Sequence, residues 1–171
     1  MAGDRRDPSG SYIEMDGEDY YRISGVHRMP PFLMTLAGDA DVWMFVTSRG
    51  GLTAGRVDPD GALFPYETVD RLMDGHHHTG PVTLLRIRGE DGGEHLWQPF
   101  PEPPGDDPRI ERNLFKNVSG TRLIFEAIHP ELEIGFRYRW ALSDEYGLVR
   151  TATLTNRGRR SVRLALLDGL R

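Results

Sequence analysis

The chain contains no cysteine, which excludes disulfides, thiolate nucleophiles and cysteine-ligated metals and leaves the redox compartment open. No apolar run is long enough to cross a bilayer as a helix. The opening residues, Met1-Ala2-Gly3-Asp4-Arg5-Arg6-Asp7-Pro8-Ser9-Gly10, lack the apolar core of a secretory leader. Helical periodicity is nearly absent, and only Glu67 to Met73 has room for a single turn. Positive charge is in deficit: the formal net charge is −5, which argues against nucleic acid and anionic membrane as partners. There is no nucleophile elbow, zinc signature, dinucleotide fingerprint, fixed-period repeat or low-complexity tail, so no cofactor is implied. What remains is a chain of 171 residues, enough for one domain with a sizeable core, and the simplest location is the cytoplasm.

Against these absences stands strict alternation in the last third. Ile134, Phe136, Tyr138, Trp140 and Leu142 fall on one face of an extended segment, and Glu133, Gly135, Arg137, Arg139 and Ala141 on the other. Leu148 to Asn156 and Ser161 to Leu167 continue the pattern after Tyr146-Gly147 and Arg157-Gly158. Consecutive antiparallel neighbours are therefore expected from Arg122 to Leu167. Val42-Trp43-Met44-Phe45-Val46, apolar on both faces, predicts a buried central strand. Turn signals recur at Arg49-Gly50-Gly51, Asp58-Pro59-Asp60-Gly61, Gly89 to Gly93 and Ser119-Gly120, the spacing of a sandwich or barrel. The fold expected is an all-β antiparallel sandwich over residues 20–171, preceded by a flexible lead over 1–19. Pro99 to Gly105 predicts a stiff extended loop. The closing Leu167-Asp168-Gly169-Leu170-Arg171 ends on a strand without a polar tail, as at the edge of a longer protein.

Candidate chemistry is sparse. His76-His77-His78 has ligand chemistry, but only His76 and His78 share a face of an extended chain, and a polar loop is the simpler reading. Gly50 to Arg56 is glycine-rich and Arg56 has the chemistry to hold an anion. The glycines join two strand-like runs, however, which suits a hairpin with a bulge or close crossing better than a phosphate cradle. Arg112 lies between Ile110 and Leu114 on one strand face; a charge there either lines a groove or pairs with a carboxylate. Among the tryptophans, Trp140 and Trp43 read as core, and Trp97, beside the proline loop, is the candidate exposed aromatic. Asp and Glu number 26, so some pair at glycosidase separation is expected by chance and none is singled out.

Several strings resemble the N-terminal region of large cellobiose-phosphorylase-like proteins: Asp41-Val42-Trp43-Met44-Phe45-Val46-Thr47-Ser48-Arg49-Gly50-Gly51-Leu52-Thr53-Ala54-Gly55-Arg56, Ala62-Leu63-Phe64-Pro65-Tyr66, Glu111 to Asn117, Ser143 to Arg150 and Leu167-Asp168-Gly169-Leu170. The resemblance implies a β-sandwich similar to galactose mutarotase, incomplete at its C-terminal end, and followed in the parent by an (α/α)-toroid that carries the catalytic carboxylate. No catalytic residue transfers, because the matching positions lie outside this sequence. The expected role is that of a non-catalytic accessory domain with the toroid as partner, a second copy as partner in isolation, and a carbohydrate ligand touched by Arg56, Trp97 and Arg112. Two rivals are a mutarotase-like epimerase, using a histidine among His27, His95 and His129 with a carboxylate, and a free-standing carbohydrate-binding module with exposed aromatics.

Overall fold

The alternating segment around Trp140 is the spine of the molecule. A computed structural model describes residues 7–39, 41–75, 78–89, 92–101 and 107–171. Within it β10, Ile134–Ser143, pairs on one side with β9, Arg122–His129, and on the other with β11, Gly147–Asn156. These three belong to a six-stranded antiparallel sheet in the order β1-β2-β8-β9-β10-β11, where β1 is Ser9–Met15, β2 Glu18–Ser24 and β8 Glu111–Asn117. Its inner face carries Leu114, Leu123, Phe125, Ala127, Ile134, Phe136, Tyr138 and Trp140, all buried.

Two three-stranded sheets supply the opposing layer. One has the order β3-β4-β5, with β3 Leu33–Leu36, β4 Val42–Thr47 and β5 Leu52–Arg56; the other has the order β12-β6-β7, with β6 Pro81–Arg88, β7 Glu94–Trp97 and β12 Arg163–Leu170. Leu36, Met44, Val46, Leu52 and Ala54 from the first and Leu85, Ile87 and Trp97 from the second join the same hydrophobic core. The protein is an all-β sandwich, as the alternation predicts. A second cluster of Tyr20, Phe115 and Ile124 lies on the outer face of the large sheet, with Ile13 and Met15 packed on it. The only α-helix among the described residues, α1, is Val69–Asp74.

Three expectations change. Ser9 to Met15 is paired residue for residue with β2, so within the flexible lead predicted over 1–19 these residues form a strand. The cause is Asp16-Gly17: both residues have positive φ, 55° and 77°, the two-residue turn whose twist matches a hairpin. The antiparallel series also stops at β11. β12 crosses to the opposite layer and pairs with β6, not with β11. Alternation sets which face of a strand is apolar and leaves its neighbour open, so β12 fits either layer. Third, Trp43 lies on the outer face of β4, half-buried over Gly55 rather than in the core. β4 itself is central, and the close crossing predicted for the glycines is present: a Cβ on Gly55 would meet Trp43 at 2.4 Å and the Gly61 carbonyl at 2.8 Å. His76, His77 and residues 102–105 of the proline loop lie outside the described residues.

Candidate functional site

The three sequence-predicted site residues fall in three different environments. Arg56 ends β5 at the surface, where its Nη2 donates to Asp41 Oδ1 at 2.7 Å across the mouth of the hairpin. Trp97 is 4% exposed, with its ring edge-on to His129 at 5.6 Å, which removes it as an exposed platform. It pairs with Leu85 on the inward face of β6, so the register of β7 against β6, set before the proline loop begins, turns it inward. Arg112 is 4% exposed and projects from β8 on the same face as Leu114, opposite Ala127. Of the three, only Arg112 lines the cavity described next.

That cavity is small, about 30 Å³, and is lined by Val26, His27, Ser48, Arg49, Arg112 and Phe125 among others. Each polar wall is placed by a local feature. Gly25, at φ 71°, turns the chain out of β2 into a 3-10 turn, Val26–Arg28, and its N–H donates to the Arg112 carbonyl at 2.9 Å. Arg49 lies in the β4–β5 turn, where Thr47 Oγ1 accepts from the N–H groups of Arg49 and Gly51 at 3.3 and 3.1 Å. Arg112 Nε donates to the Pro99 carbonyl at 2.9 Å, and Arg49 Nη2 to the Met29 carbonyl at 3.4 Å. Arg112 Nη1, Arg49 Nη1 and His27 Nδ1 are buried without a hydrogen-bond partner among the described residues. Burial lowers the His27 pKa to about 4, with the charges of Arg112, Arg28 and Arg49 adding to it. Burial also depresses Arg112 from its ordinary value, an effect that Asp107 opposes and Arg49 reinforces. Asp107 is itself held by Arg109, Nη2 to Oδ2 at 2.8 Å, and does not line the cavity.

A second, larger cleft of about 300 Å³ is lined by His95, Glu131, Glu133, Arg160 and Ser161 among others. It brings one of the histidines weighed for the epimerase together with two carboxylates. His129 does not line it; its Nδ1 accepts from the Leu132 N–H at 3.3 Å.

The third feature is the flank where both layers end. β11 and β12 are terminal strands of their sheets, so each has one edge unpaired among the described residues. Leu164, Leu166 and Leu170 pair with Ile87, Leu85 and Pro81 and therefore face inward, yet they are 39%, 46% and 44% exposed. Above them Ala152 of β11, on the inner face opposite Tyr138, is exposed too. One contact bridges the layers at this rim: Arg150 of β11 donates to both Asp168 oxygens of β12 at 2.7 and 2.8 Å, and Thr83 donates to Asp168 at 2.7 Å. The Arg150 guanidinium also lies 5.0 Å from the Tyr138 ring centre.

Arg49 carries no motif and was not a candidate on sequence; His27, weighed there only as an epimerase histidine, comes to Arg112 with it through the fold. No family model matches the chain, and no curated protein is detectably similar to it. No helix among the described residues is long and apolar enough to cross a membrane.

Proposed function

We propose that this chain is the non-catalytic, accessory β-sandwich of a cytoplasmic carbohydrate-active protein of the cellobiose-phosphorylase-like kind, and that it packs against a catalytic toroid partner and supports the sugar site there. The observation that carries this reading is the open flank. Inward-facing leucines at an unpaired sheet edge stay wet unless a partner covers them, and such exposed apolar surface marks association. The strings behind the resemblance lend support, because they form structural parts of the sandwich: the β4–β5 hairpin, β8, the β10–β11 turn and the end of β12. In isolation a second copy takes the partner's place. Sedimentation velocity should show concentration-dependent association, and Leu166→Glu should return the chain to a monomer while changing its stability by only about 0.5 kcal/mol. A monomer at all concentrations would remove the main support for this reading.

The cleft holding His95, Glu131 and Glu133 favours the epimerase as the second reading. The accessory reading expects anomer interconversion of glucose and galactose at the buffer rate. Acceleration that His95→Ala abolishes selects the epimerase.

A further inference from the structure

The cavity at Arg112 has a charge balance that the chain does not close. Two guanidinium groups and an imidazole converge on it, and no carboxylate among the described residues lines it. Arg112 is nine-tenths or more buried, so its charge has lost most of its water. Removing a charge from water is costly unless a counter-charge replaces the lost solvation. Each of the three side chains also keeps one buried nitrogen without a partner, although Arg49 and Arg112 both spend another nitrogen on a backbone carbonyl. Ser48 Oγ accepts from the Phe32 N–H at 3.1 Å, which leaves its hydroxyl hydrogen to donate. Phe125, Phe100 and Val26 form the dry walls that strengthen any ionic contact inside.

From the cavity, its two arginines and its three orphaned nitrogens we infer that this pocket binds one small oxyanion. Arginine forks match the paired oxygens of a carboxylate, sulfate or phosphate group, and charge-assisted bonds of this kind are the strong ones. A space of about 30 Å³ admits such a group, since a single water needs about 10–15 Å³. It excludes a sugar ring, so the site is distinct in ligand from the carbohydrate contact expected of Arg112, and it stands whether or not the accessory-domain reading does.

Titration calorimetry of the full chain with sodium sulfate and, separately, sodium acetate at constant ionic strength tests this. One saturable site is expected. Saturation by sulfate assigns a tetrahedral ligand and saturation by acetate a planar one; saturation by neither overturns the inference. Arg49→Gln, at a turn rather than in a strand, should weaken binding about tenfold or more. Unchanged affinity in that variant places the ion elsewhere and overturns it as well. His27 gives an independent readout by NMR. Arg28, Arg49 and Arg112 repel its proton, so an anion bound among them must raise the pH at which it titrates from about 4.

Discussion

Arg112 and Arg150 are both arginines on the inner face of the same sheet, one on β8 and the other on β11, and the protein treats them differently. Arg150 meets Asp168 from the opposite layer with both its terminal nitrogens and rests on the Tyr138 ring. Arg112 meets a backbone carbonyl with one nitrogen and, among the described residues, nothing with Nη1. The first is a latch, a charge neutralised by the chain itself where the two layers meet. The second shares its cavity with Arg49 and His27, and no carboxylate among the described residues lines that cavity. Position on a sheet face therefore does not decide what a buried arginine does. The acid placed across from it does.

Between the two arginines lies the hydrophobic centre, and the largest effect is expected there. Phe136 is 1% exposed in the middle of β10, and Phe136→Ala should cost roughly 3–5 kcal/mol in urea unfolding through the lost burial and the cavity left behind. A loss below about 1 kcal/mol would mean that β10 does not bury this face.

The two arginines should then separate. Asp168→Asn leaves Arg150 without its counter-charge at a largely buried site and should cost about 3 kcal/mol, the lower end for a broken buried pair. Arg112→Met removes a charge that no carboxylate among the described residues holds by a hydrogen bond, with Asp107 acting only at a distance. In buffer free of oxyanions it should shift stability by only about 1 kcal/mol, one hydrogen bond set against a relieved desolvation. Equal losses in the two variants would break the comparison.

Acid sharpens it with a smaller effect. His27 is held neutral in the folded chain down to about pH 4, whereas the unfolded chain protonates it near the ordinary value of about 6.5. Below that ordinary value the unfolded state binds the extra proton, so stability should fall between about pH 6.5 and pH 4, the window set by His27. His129, whose pKa burial also lowers, acts in the same direction. Asp168 has the opposite sign in its shift and a lower window. Burial raises its pKa, but hydrogen bonds from Arg150 and Thr83 and the charge of Arg150 outweigh that and leave it below the ordinary value. Its contribution is present above about pH 3.9 and lost as the pH falls through the folded value. Melts against pH should show the upper step flattened in His27→Gln and the lower step flattened in Asp168→Asn.

The legible parts of the molecule were those governed by local rules. Ile134, Phe136, Tyr138 and Trp140 alternate, and they are buried as that alternation requires. Gly55 sits where two backbones nearly touch. The hairpin at Asp16-Gly17 is equally local, with Tyr12, Ile13 and Met15 before the turn, but the polar start of the chain outweighs so short a signal. Trp97 is buried where exposure is expected, because a neighbouring proline loop carries no information about which face of a short strand turns inward.

The sequence by itself determined an all-β protein, its long inner face, its turns and the presence of a charge at Arg112 on an apolar strand, since each follows from the period of the backbone and the chemistry of single residues. Only the tertiary structure decided that β12 would leave the meander for the other layer, that Asp168 would thereby answer Arg150, and that His27 and Arg49 would close on Arg112. Those outcomes depend on which strands become neighbours. Pairing is selected by the packing of the whole, through contacts between residues far apart in the chain, and no local pattern records it.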